Sequence, residues 1–210
     1  MILRGLTING GTISGSQIGV QFVQGNSLKI VDSIIMHFTA SGAAGRGIVF
    51  TPSTAASLRV MNSIVTNNRT GIFISPTGSG SANVTLEDVT VDGNVTGLLV
   101  NAPSSLGAGS FVVATRSTFA SNTTGVVLDT IASGSNYVVA KIVSSTITSN
   151  SGGGIVAQGA TVRADVSGTT ITNNGTGVAA SFGAILLSYL DNITDRNFVD
   201  GAFTGSVSRR

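Results

Sequence analysis

The chain has 210 residues, 41% hydrophobic and only 10% charged, with eleven Lys and Arg against nine Asp and Glu and a formal charge of +2. So apolar a composition excludes an intrinsically disordered chain. The basic residues are scattered with acids among them, which argues against nucleic acid as a partner, and the absence of Cys excludes disulfides and thiolate metal sites. No run is long and apolar enough to span a bilayer. Nothing in the composition marks a boundary, so residues 1–210 are expected to form one domain, with repeating structure over 1–200 and a tail or cap over 201–210.

In chain order, Met1 to Asn9 has no apolar core of signal-peptide length and enters alternating strand pattern at once. A phrase then recurs: Asn, two spacer residues, Gly, and an alternating apolar run. It stands at Asn68 to Ile74, Asn94 to Val100, Asn122 to Leu128 and Asn174 to Ala180, with a variant from Asn150 to Ala157. The Gly markers Gly19, Gly47, Gly71, Gly97, Gly125, Gly154 and Gly177 are spaced by 28, 24, 26, 28, 29 and 23 residues. Each interval holds three short runs separated by turn residues, for example Leu58 to Val60, Ser63 to Thr66 and Gly71 to Ile74. Repetition with this period means one supersecondary unit stacked on itself. The chain therefore reads as an all-β, single-stranded, right-handed parallel β-helix of about eight coils with three short strands per coil.

Three columns of apolar residues follow from that frame. Ile30, Val60, Leu86, Ala114, Ile142 and Val166 form the first, and Ile35, Val65, Val91, Phe119, Ile147 and Ile171 the second. Val20, Ile48, Ile72, Leu98, Val126, Ile155 and Val178 form the third. Stacking like on like buries a continuous core that no single coil could bury by itself. Asn68, Asn94, Asn122, Asn150 and Asn174 are expected to form a ladder at a corner, adopting the left-handed backbone there and bonding to the next coil. Turn chemistry accounts for the row, so its N-x-T sequons are weak evidence for glycosylation.

The phrase resembles the repeats of the pectate-lyase-like superfamily. More narrowly, Ile2 to Gly10, Ser188 to Asn192 and Asn197 to Gly201 are similar to bacterial right-handed parallel β-helix repeat proteins. The resemblance implies an extracellular or cell-surface location. It also implies a secretory signal and a capping segment ahead of the first coil, so the chain is expected to be a fragment or a shortened relative.

The resemblance also directs the search for chemistry. Polygalacturonases on this scaffold carry catalytic Asp where this chain has Thr70, Thr96, Thr124 and Thr176, and a hydroxyl cannot serve as the acid that glycoside hydrolysis needs. Polysaccharide lyases use basic residues with acids; Lys29, Arg59 and Lys141 stand at equivalent outward positions and are candidate contacts for an acidic glycan. Asp88 and Arg116, in adjacent coils, are expected to form a simple ion pair. His37 has no second His or acid pair near it and is read as a solvated loop residue. No catalytic residue, metal ligand or cofactor is predicted.

The outward faces offer binding surfaces instead. Val49, Phe73, Leu99, Val127, Val156 and Ala179 should form one apolar stripe, a candidate interface covered by a partner, a second subunit or the small-residue connections at 75–83, 101–110 and 129–137. Thr90, Thr118, Thr146 and Thr170, with Thr66, Thr148 and Thr172, form a Thr array like that of ice-binding β-helices, a minor alternative. An uncapped coil can also pair end to end with another copy. The function expected is a non-catalytic surface protein that self-associates or binds a glycan or protein. The alternative is a lyase- or epimerase-type carbohydrate-active enzyme.

Overall fold

The computed structural model describes residues 1–11, 17–41, 44–102, 109–131 and 136–208. They form a parallel β-solenoid of three sheets with nine, eight and eight strands. Sheet A runs from Ile2–Arg4 through Ser27–Val31, Ala56–Met61, Ser81–Glu87, Gly109–Thr115, Val138–Val143, Val162–Ser167 and Ile185–Ser188 to Gly205–Ser206. Sheet B contains Thr7–Asn9, Ile34–Met36, Ile64–Thr66, Thr90–Asp92, Thr118–Ala120, Thr146–Thr148, Thr170–Thr172 and Ile193–Asp195. Sheet C contains Ile18–Phe22, Arg46–Phe50, Thr70–Ile74, Thr96–Asn101, Thr124–Asp129, Gly153–Gln158, Thr176–Ser181 and Val199–Gly201. One strand of each sheet, in the order A, B, C, makes a coil, as the repeat predicts.

Short strands suffice because the strands of one coil find their backbone partners in the coils before and after, so pairing is satisfied along the axis. All nineteen residues of the three predicted columns are buried in one cluster, and they pair in register: Ile30 with Val60, Val60 with Leu86, and onward to Val166. Each fully buried aliphatic side chain contributes about 1.5–3 kcal/mol relative to exposure. Phe22 stacks on Phe50 at 4.9 Å in the early coils, and Phe119 is wholly buried in the middle.

The corners use a polar chemistry of their own. Between sheets B and C, the Nδ2 of Asn68, Asn94, Asn122, Asn150 and Asn174 each donates to the Oδ1 of the next rung at 2.8–3.0 Å. The same oxygens accept the backbone N–H of the preceding rung. Phe38 N–H feeds the top of the ladder through Asn68 Oδ1. Asn197 adds a further rung, and Asp200 Oδ1 accepts from it at 2.9 Å.

The left-handed conformation lies one residue earlier than the sequence reading placed it. Asn67, Gly93, Ser121, Ser149, Asn173 and Arg196 carry φ between 53° and 64°, and the ladder Asn residues do not. The turn falls on the residue before the rung, which frees the Asn to point inward as a hydrogen-bonding post. The corner between sheets A and B repeats the device: Asp32, Asn62, Asp88, Arg116, Ser144 and Gly168 are left-handed, and each precedes an inward residue. Most of those inward residues are hydroxylic. The Oγ atoms of Ser33, Ser63, Ser117 and Ser145 each accept a backbone N–H from the coil before, from Leu6 at 3.2 Å, Ser33 at 3.1 Å, Val89 at 3.2 Å and Ser117 at 3.2 Å respectively. The apolar Val89 interrupts that column.

At the C-terminal end Gly205–Ser206 adds a last strand to sheet A, while half-buried Phe203 packs against the core. The final two Arg residues lie outside the described residues.

Candidate functional site

Alternation turns every second residue of a strand outward, so each sheet presents a wall. On sheet A the outward register runs Lys29, Arg59, Thr85, Val113, Lys141, Asp165. Lys29 and Arg59 are neighbours, but Thr85 and Val113 put Lys141 three strands from Arg59, about 14 Å at ~4.8 Å per strand. The three predicted glycan contacts therefore do not converge.

Arg59 is also occupied. Its guanidinium meets Glu87 Oε2 at 3.0 Å, and Arg116 meets Glu87 Oε1 at 2.8 Å and Asp88 Oδ2 at 2.9 Å. Hydrogen bonds from Arg59 and then Arg116 hold the Glu87 carboxyl below its usual range, and Arg116 does the same for Asp88. Reciprocally, Asp88 and Glu87 raise the Arg116 guanidinium. The ion pair expected of Asp88 and Arg116 is part of this four-residue network.

Farther along the same wall Asp165 is 7% exposed, in register with Lys141. Arg163 reaches Asp165 Oδ1 at 3.1 Å, but from a direction that makes no hydrogen bond. This grouping of one acid and two bases was not singled out in the sequence, although the outward period of two contains it.

The sheet C wall carries the predicted apolar stripe, with a correction at its start. Val49 and Phe73 are 3% and 8% exposed, so they are buried. Leu99, Val127, Val156 and Ala179 are half-buried. Arg46 lies over the Phe73 ring, 3.6 Å from its centroid, a cation–π cover that alternation alone cannot reveal. The connections expected to cover the stripe at 101–110 and 129–137 lie partly outside the described residues.

The more open apolar positions are on other faces. Phe111 and Val113 on sheet A are 39% and 37% exposed, and the Tyr137 ring meets Phe111 edge-on at 5.3 Å. The sequence reading did not include them, although Phe111-Val-Val113 shows the same alternation as the sheet C strands.

On sheet B, Thr90, Thr118, Thr146 and Thr170 stack in register, but the companion column reads Asp92, Ala120, Thr148, Thr172. The full Thr pair thus spans two strands only. His37 is not a solvated loop residue: it is the half-buried, left-handed corner residue of its coil, with Nδ1 3.1 Å from Asn9 Oδ1. Thr70, Thr96 and Thr124 stack at the start of their sheet C strands. Among the described residues no group of three His, Cys, Asp or Glu could hold a metal ion, and no helix is long and apolar enough to cross a membrane.

Comparison with protein-family models, with curated proteins and with solved structures found no match to this chain. The class that the fold defines is the parallel β-solenoid.

Proposed function

We propose that this chain is a non-catalytic β-helix that works through its walls, outside the cell or at its surface, by holding a glycan or protein partner or a second copy of itself. The bacterial, pectate-lyase-like character suggested by the repeat belongs to the same reading. The observation that carries it is the aromatic and aliphatic platform of Phe111 and Val113 on the sheet A wall with Tyr137 beside them. Exposed aromatic faces suit both sugar rings and protein partners, and a stacked scaffold holds them without an entropic cost of ordering.

A second reading, a carbohydrate-active enzyme, draws on Lys141 and Arg163 around the enclosed Asp165. One set of measurements separates the two. Sedimentation and affinity electrophoresis in neutral and acidic polysaccharides are expected to show self-association or retardation that Phe111→Asp reduces at least tenfold without lowering the melting temperature. Equal behaviour of Phe111→Asp and the native chain would count against the first reading. Release of unsaturated sugars, lost in Lys141→Ala, would establish the second.

A further inference from the structure

We propose that the hollow at the corner of sheets B and C around Arg69 is a binding site for an oxyanion, a carboxylate or sulfate group on a molecule of monosaccharide size. The hollow has a volume of about 220 Å³ and is lined by Thr39, Asn67, Asn68, Arg69, Gly93 and Val95. Arg4, Arg59, Arg116 and Arg163 all have carboxylate partners. Arg69 has none and is exposed at the hollow's rim. The reason lies in the sequence: residues 33–86 contain no Asp or Glu, yet they include Arg46, Arg59 and Arg69. Of these three only Arg59 is neutralised, by Glu87 from the next coil.

Arg46 begins the neighbouring sheet C strand, in register with Thr70. The backbone at Gly45 packs against the Arg69 stem, where an added Cβ would lie 3.0 Å from Arg69 Cβ. Burial lowers the Arg46 guanidinium from its ordinary value, and its Nε is enclosed without a hydrogen-bond partner. Neither Arg46 nor Arg69 forms an ion pair among the described residues, and Asp92, beside the lining Gly93 and in register with Thr66, is the one acid next to the lining in sequence, so the cations outnumber it, which favours an anion.

The remaining lining fits an oxyanion on a small carbon skeleton. A guanidinium offers paired N–H donors that match carboxylate or sulfate oxygens. Thr39 contributes a hydroxyl, Asn67 an amide and Val95, 48% exposed, an apolar wall to the lining. Gly93 leaves room for the Asn67 side chain: a Cβ there would meet Asn67 Oδ1 at 2.8 Å. A larger hollow of about 450 Å³, between Met1 and Gln21 to Ser27, has no charged side chain in its lining and gives no such match.

The test is a titration of the full chain with sodium sulfate, sodium phosphate, sodium glucuronate and glucose at constant ionic strength, followed by backbone amide shifts. Saturable shifts at Thr39, Asn67, Arg69 and Val95 are expected for the anions and not for glucose, with binding weakened at least tenfold in Arg69→Ala and partly retained in Arg69→Lys. Tighter binding of glucuronate than of the inorganic ions would identify a sugar-borne carboxylate, and the reverse order a free anion. Absence of saturable shifts for every anion, or equal affinity in Arg69→Ala, would overturn the proposal. Since Arg69 lies on a different face from Phe111, the result is independent of the Phe111 measurements.

Discussion

Asn122→Ala is expected to lower stability by about 3–5 kcal/mol, a large part of the 5–15 kcal/mol typical of a folded domain. The Asn122 side chain is 2% exposed and makes four bonds. Its Oδ1 accepts the Asn94 N–H at 2.9 Å and Asn94 Nδ2 at 3.0 Å, and its Nδ2 donates to Asn150 Oδ1 at 3.0 Å and to Val91 O at 3.1 Å. Truncation leaves the Asn94 N–H enclosed without an acceptor, and an unsatisfied buried group costs about 1–3 kcal/mol.

Asn122→Asp keeps the acceptor and loses both donations. It also buries a charge facing another oxygen, which raises the folded-state pKa of the new carboxyl. Its destabilisation is therefore greatest above that raised pKa and shrinks as pH falls and the group protonates. Urea melts of the native, Ala and Asp chains across pH 3 to 8, with the Asp chain alone recovering in acid, check the argument.

Gly97→Ala is expected to cost about 1–3 kcal/mol, although the same exchange usually stabilises a chain by restricting its unfolded state. Gly97 does not have positive φ, so backbone freedom is not the reason it is Gly. An added Cβ would stand 2.6 Å from Gly125 O and 3.1 Å from Asn122 Nδ2. The coils cannot separate to admit it while the Asn ladder holds them. The same clash recurs at Gly47, Gly71, Gly125, Gly154 and Gly177, with the next coil's carbonyl at 2.6–2.8 Å in each case.

Gly168 is the opposite case. Its φ is +57° and the nearest atom to an added Cβ lies at 3.6 Å, so Gly168→Asn should be nearly neutral because Asn tolerates that conformation. Thermal melts that rank Gly97→Ala well below Gly168→Asn support steric exclusion. Equal melting temperatures would refute it.

The residues that were easiest to place from sequence are those whose neighbours are copies of themselves. Ile30, Val60 and Leu86 fall in line because a period of two fixes which face is inward and the repeat fixes what stacks on it. The Asn rungs stood out for the same reason, but their backbone conformation did not. Asn is suited both to a left-handed turn and to a bonding post, and its neighbours Asn67, Ser121 and Asn173 are turn residues too.

The walls were harder to read, because a side chain on a wall is covered by residues that do not repeat. Arg46 over Phe73 and Glu87 between two Arg residues arise from single positions in different coils. In the hydroxyl column, Ser63, Ser117, Ser145 and Thr169 stand five residues before Asn68, Asn122, Asn150 and Asn174, outside the recurring phrase and less conspicuous than its Asn. The lack of an ion-pair partner for Arg69 is hinted at by the acid-free stretch before Glu87, but the hollow beside it is not.

Rung-over-rung winding is tested most directly by paired cysteines, since the native chain has none to confuse the result. Thr118 and Thr146 are register partners in adjacent strands, as are Thr146 and Thr170, so neighbouring Cα atoms lie about 4.8 Å apart, within the span a disulfide bridges. Thr118 and Thr170 are two rungs apart, about 10 Å, and beyond that span. Under mild oxidation Thr118→Cys with Thr146→Cys should close to an intramolecular disulfide in a chain that keeps its strand spectrum, while Thr118→Cys with Thr170→Cys stays reduced. Closure of the distant pair with the adjacent pair left open would contradict the winding.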